Sequence, residues 1–194
     1  MPGEPRSNNR KTQIIAATEQ LLRRKGLAGV TTRAIAAAVP CSEGAIYVHF
    51  KGRLELLLAV LEASLPDMLV PLRGLQEEVG KGTPRKNLTR AVEGLQKFHD
   101  RVTPMLGSLF AEPELLDAFR KTLAQKGKGP AGGIARIADY IESEQKLGRI
   151  SPAIDATNAA TALMSASFFQ SFTTALLGKP VQHASAKQMV KSVL

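Results

Sequence analysis

TTRAIAAAVPCSEGAIYVHFKG, Thr31 to Gly52, is the stretch from which the fold can be read. Thr31 and Ser42 each stand where a helix would start, because a hydroxyl oxygen accepts from the free N–H groups of a first helical turn. Thr31 precedes a helix Thr32 to Val39, with Ile35 and Val39 turned inward, and Pro40 stops it. Ser42 precedes a second helix, Glu43 to Phe50. Two short helices joined by the tight turn Pro40-Cys41 describe a helix-turn-helix unit, which lays its second helix in the DNA major groove. Ala36, Ala37 and Ala38 allow close packing, and Ile35, Val39 and Ile46 supply a small shared core. Gly44 and Ala45 have almost no side chain, so their helix can approach base edges. Tyr47, His49 and Lys51 can donate to phosphate oxygens. Thr31 and Thr32 can do so as well, helped by backbone N–H groups. Arg33 suits a base or phosphate, Glu43 can accept from cytosine, and Ser42 starts the reading helix.

Outward from this stretch everything reads as helix. Alternating β-branched runs bounded by turns are absent, so the fold class is all-α. Residues 1–9, rich in Pro, Gly, Ser and Asn, read as a loose arm. Arg10 to Lys25 places Ile14, Thr18, Leu21 and Leu22 on one face, and Gly26 after Arg23, Arg24 and Lys25 marks its end. Leu54, Leu57, Leu58, Leu61 and Leu65 predict a long amphipathic helix ending near Pro66. Thr83-Pro84 starts another, striped by Leu88, Val92, Leu95, Phe98 and Val102. A helix follows Glu112-Pro113. Lys126 to Gly133, KGKGPAGG, reads as a flexible loop. A helix bearing Ile134, Ile137, Ala138 and Ile141 ends at Gly148. A long helix from about Pro152 to Leu177 is capped by Gly178, and a short one runs from Ser185 to the end.

The bulk properties agree with a nucleic-acid partner. The chain has 194 residues and a formal net charge of +9. Residues 1–60 hold nine basic and four acidic side chains and residues 61–194 seventeen and thirteen, so positive charge is densest in the first third. Such density suggests an anionic partner. No run of eighteen apolar residues offers a membrane span, and the N-terminus has no apolar signal core. One cysteine can form neither an internal disulfide nor a thiolate zinc cluster, and Cys41 reads as a packing residue. A reducing cytoplasm is the simplest compartment. No spacing suits a metal, no cofactor is implied, and no Ser-His-Asp order or Gly-rich phosphate loop suggests an enzyme.

These residues resemble the DNA-binding region of the TetR family of bacterial transcriptional regulators. The resemblance rests on Thr31, Ile35-Ala36, Ser42-x-Gly44, Tyr47-x-His49-Phe50 and Lys51, and covers roughly Arg10 to Leu61, about a quarter of the chain. Three positions depart from the family pattern. Pro40 stands where a glycine is usual, which predicts a remodelled turn, since proline cannot take left-handed geometry. Cys41 replaces a small aliphatic, and Val48 a residue that is often aromatic. The resemblance implies an N-terminal DNA-binding domain, residues 10–52, and a ligand-binding and dimerisation domain, residues 53–194. It implies a homodimer on a palindromic double-stranded DNA operator, with half-sites roughly 34–36 Å apart, released by a small-molecule effector that moves the fourth helix. The family also contains activators, and a ligand-independent or architectural DNA-binding protein is the alternative reading.

In the second domain the family's pocket would draw on Phe98, Met105, Leu109, Phe110, Phe119, Ile141, Met164 and Phe168. An adaptable apolar lining of this kind suits a hydrophobic or amphipathic compound, with His99 a candidate polar anchor. Ala156 to Phe172 is rich in small residues with an aromatic end, which suggests a bundle interface. Ala159, Leu163, Ala166, Phe169, Gln170 and Thr173 are its candidate dimer residues.

Overall fold

The computed structural model describes residues 6–126 and 130–194, and all regular structure among them is helical. The α-helices are α1 Arg6–Lys25, α2 Thr32–Ala38, α3 Glu43–His49, α4 Arg53–Arg73, α5 Pro84–Ala111, α6 Pro113–Lys126, α7 Pro130–Lys146, α8 Ala156–Leu177 and α9 Ala186–Val193. Their ends follow capping chemistry. The Thr31 hydroxyl accepts from Ala34 N–H at 3.1 Å and the Ser42 hydroxyl from Ala45 N–H at 3.2 Å. Asp155 accepts from Asn158 N–H at 2.8 Å, and Ser185 with Gln188 forms a reciprocal capping box. Gly26 and Gly178, at φ 63° and 65°, turn the chain out of α1 and α8.

Four boundaries differ from the sequence reading. Helix α1 begins at Arg6, so part of the expected arm is helical, and residues 1–5 lie outside the described residues. Helix α4 continues past Pro66 to Arg73. The burial of Leu72 and Leu75 in a core outweighs the local helix-stop signal. In the expected loop, Lys126 closes α6 and Pro130–Gly133 open α7, while 127–129 lie outside the described residues. Pro130 occupies the first helical position, where its missing N–H costs nothing. A Cβ at Gly133 would stand 2.6 Å from the tip of the Met164 side chain, which would have to swing aside. Helix α8 starts at Ala156 instead of near Pro152 because Asp155 supplies the cap.

Contacts divide the chain into two compact units, one of residues 1–64 with 104–122, the other of 65–103 with 123–194. This division falls at a different place from the division by expected role, at residue 52. It cuts α5 at Pro104, where the ring removes one helical hydrogen bond. The core of the first unit is Ile14, Leu22, Ile35, Val39, Ile46, Phe50, Leu57 and Val60, joined by Met105, Leu109 and Leu115.

The second unit packs α7 against α8 around Leu88, Val92, Leu95, Ile137, Ile141 and Leu163. A polar tie closes it. The fully buried Glu144 accepts from Gly80 N–H at 3.1 Å and pairs with Arg149 Nε at 3.1 Å. Arg149 also donates to the carbonyls of Lys81 and Gly82, and Asn87 Nδ2 donates to the Tyr140 hydroxyl at 3.0 Å. Burial pushes that hydroxyl up to about 12, so it stays protonated. Among the described residues no helix is long and apolar enough to cross a membrane.

Two neighbours on α3 test this packing. Ile46 is 2% exposed and Val48 is 81% exposed. Ile46→Ala should cost about 2–5 kcal/mol of unfolding free energy in a denaturant titration, and Val48→Ala no more than about 0.5 kcal/mol.

Candidate nucleic-acid interface

Helix α3 is amphipathic over less than two turns. Ile46 and the following Phe50 point into the first unit's core, so Glu43, Gly44, Tyr47 and Val48 face outward. Thr31, Arg33, Ser42 and Lys51 are exposed beside them, while Thr32, Ala45 and His49 are half-buried. All ten sequence candidates thus belong to one short segment and none is fully buried. Gly44 explains itself here. A Cβ at this position would meet only the Ser42 hydroxyl, at 3.9 Å, so nothing within the chain demands a glycine.

Several candidates also have structural work. The Thr32 hydroxyl donates to Glu43 Oε2 at 2.6 Å, which ties the start of α2 to the start of α3. Thr31 and Ser42 use their oxygens as caps, leaving their hydroxyl protons available to an acceptor. Lys51 N–H donates to Glu55 Oε2 at 2.7 Å, and its side chain remains exposed.

The turn is built without left-handed backbone. No non-glycine residue among those described has positive φ. Val39, before the proline, is extended at φ −115° and ψ 118°, the conformation a following proline favours. Arg10 Nη1 donates to the Pro40 carbonyl at 3.4 Å, so α1 steadies this turn.

Sequence reasoning missed three contributors. Arg53 donates to the Leu27 carbonyl at 3.0 Å and approaches Glu112 at 3.9 Å. Lys11 sits 5.5 Å over the Phe50 ring. Val48 presents an exposed apolar surface suited to a thymine methyl. The first two depend on non-local contacts and leave no sequence signal. Val48 could have been found from its place opposite Ile46.

The second unit holds a buried polar seam between α5 and α8. His99 Nδ1 lies 2.9 Å from the Ser167 hydroxyl, Gln96 donates to Gln170, and Ser171 donates to Asp100. The Thr103 hydroxyl, one turn beyond His99 on α5, is buried with no partner among the described residues. Phe98 and Phe168 meet the His99 ring edge-on, with centroids 5.5 and 5.7 Å away. Burial lowers the His99 pKa to about 4, with Asp100 opposing weakly, so the ring is neutral at physiological pH.

Of the expected pocket residues, Phe98 and Phe168 lie at this seam and the other six do not pack on the His99 ring. Met105 and Leu109 are buried in the first unit, where Phe119 is partly buried and Phe110 is 67% exposed. Ile141 and Met164 are packed in the second unit's core, with Phe98 and Phe168 half-buried in the same unit. The list followed residue type, and type does not distinguish one core from another. A concavity of about 630 Å³ lies on another face of α5, and Phe98 is the expected residue among its lining.

The expected dimer residues also separate. Ala159 and Leu163 are buried within this chain, which corrects their reading as partner-facing. Gln170 bonds to Gln96 and Thr173 to His183. Phe169, at 59% exposure, and the half-buried Ala166 share a groove of about 280 Å³ with α9. Phe172, Leu176 and Leu177 extend the exposed apolar surface of α8.

The geometry defines a helix-turn-helix protein with a second helical unit. Residues 14–60 match the family described as bacterial regulatory proteins, tetR family. Over 93 residues the chain is 32% identical to the HTH-type transcriptional regulator YerO of Bacillus subtilis, a match covering 48% of this chain and 32% of that protein. It thus spans about a third of that relative's length. It is 27% identical over 157 residues to the nucleoid occlusion factor SlmA of a Marinomonas species, covering 70% of this chain and 79% of that protein. A crystal structure of a TetR-family transcriptional regulator from Mesorhizobium loti superposes with a TM-score of 0.76 over 98% of each chain, at 18% identity. Residues 14–60 thus carry the regulatory domain of the tetR family, and the chain as a whole shares the fold of such regulators.

Two measurements test the geometry. Gly44→Ala should unfold no more easily than the parent, since alanine is the better helix former. It should lose about 1–3 kcal/mol of DNA affinity in a fluorescence-anisotropy titration, as when one base contact is lost. His99 adds a pH dependence. Below an unfolded pKa of about 6.5 the unfolded chain takes up a proton that folded His99 refuses until about 4, so stability falls as pH falls through that window. The cost reaches about 2 kcal/mol near pH 5. Denaturant titrations at several pH values should show this slope in the parent and lose it in His99→Gln.

Proposed function

We propose that this chain is a transcriptional repressor that binds a palindromic operator as a homodimer and is released by a small hydrophobic or amphipathic effector. It works in the cytoplasm on double-stranded DNA. The observation that carries the reading is the outward face of α3, with Gly44 open to close approach and Tyr47 and Lys51 exposed beside it. Arg33, His49 and the hydroxyls of Thr31 and Ser42 complete the grip on phosphate. Glu43 positions α3 through Thr32 and keeps one oxygen for a cytosine amino group.

The resemblance to tetR-family regulators supports the homodimer, and so does the exposed apolar row Ala162, Phe169 and Leu176 on α8, one helical face seven residues apart. Helix α4 contributes residues to both compact units. It is therefore the element through which effector binding would alter operator binding, and the coupling is reciprocal. The likeness to a nucleoid occlusion factor favours a second reading, an architectural DNA-binding protein.

The test is a mobility shift against the intergenic DNA beside the chain's own gene. The expected result is salt-sensitive binding to a two-half-site operator and much weaker binding to a single half-site. Tyr47→Ala and Lys51→Ala should each weaken binding, and Lys51→Ala should also lower the salt slope by about one. Equal binding to any sequence, unchanged by either substitution, would overturn the repressor reading.

A further inference from the structure

The outer groove of α5 has the composition of a ligand site, and Leu75 and Ala91 of the second unit's core form part of its floor. Arg90, Ala91, Gly94, Lys97, Phe98 and Arg101 recur at helical spacing, so one face of α5 presents them together. The middle of that face carries only Ala91 and Gly94. Two small residues there open a concavity of about 630 Å³ against Val70, Gly74 and Leu75 at the end of α4. That volume lies within the range of small-molecule sites.

The floor is apolar and the rim is cationic. Arg90 is held at one end by Glu78, at 3.0 Å. Lys97 and Arg101 stand one turn apart at the other end, beside Phe98. Among the described residues that line the groove, Glu78 is the one carboxylate, beside Arg90, Lys97 and Arg101. An apolar floor with a cationic rim is complementary to an amphipathic anion, whose carboxylate or phosphate stays at the wet rim while its hydrocarbon covers the floor.

We propose that this groove binds an amphipathic anion with one acidic head and an aliphatic body, and that this is the class of effector the regulator senses. The effector role rests on the repressor reading; the binding does not. Val70 and Gly74 belong to the end of α4 or follow it directly. An occupant therefore presses on the helix that would carry the signal.

Sodium decanoate is the probe, titrated calorimetrically into the full chain without DNA. Decyltrimethylammonium, with the same tail and opposite head, is the control. Decanoate should bind and the ammonium should not. Lys97→Glu, a surface change, should weaken decanoate about fivefold to tenfold. Gly94→Leu should fill the concavity and abolish binding, and a melting curve shows whether that variant folds. Equal binding of both probes, or decanoate binding unchanged by Lys97→Glu, overturns the proposal. An operator shift without decanoate binding removes this proposal alone. Decanoate binding without any operator shift removes only the repressor reading and the sensing role.

Discussion

The angle between α2 and α3 depends on a very small apolar contact. Ile35, Val39, Ile46 and Phe50 meet Ile14 in the first unit's core, and each is nearly inaccessible to water. Helices of seven residues are too short to be stable alone, so this burial makes them helices at all. The Thr32–Glu43 hydrogen bond then fixes the start of one against the start of the other. Presentation of Gly44, Tyr47 and Val48 follows from Ile46 being buried, because the outward face of a two-turn helix is whatever its inward face leaves.

The second unit solves a different problem. Its helices are long enough to pack by apolar faces, and polar groups close its ends. Glu144 and Arg149 form a buried ion pair that also satisfies Gly80 N–H and the carbonyls of Lys81 and Gly82. A buried pair contributes little net stability, yet losing one partner is costly. Its role here is to hold the segment before α5 against the turn after α7. The α5–α8 seam works similarly, with His99 kept neutral so that it can share a proton with Ser167.

Much of the architecture was legible in the sequence where a local rule operates. Thr31, Ser42 and Ser185 announce helix starts, and Gly26 and Gly178 announce ends, because capping is decided within a few residues. Local rules misled where packing overrides them. Pro66 does not end α4, since Leu72 and Leu75 are buried beyond it. Gly133, expected in a loop, lies in the first turns of α7.

The chain's own residues determined that the protein is all-helical, that it carries a helix-turn-helix, and which face of α3 is free, because these follow from capping, spacing and the period of the helix. Tertiary structure alone decided which apolar residues share a core. It put Met105 and Leu109 in the first unit, Ile141 and Met164 in the second, and Ala159 and Leu163 inside instead of on a partner-facing surface. It also decided that Ala91 and Gly94 open a groove beneath Lys97 and Arg101. Periodicity says that one face of a helix is buried, but what covers that face is fixed by the packing of distant segments, which no local pattern encodes.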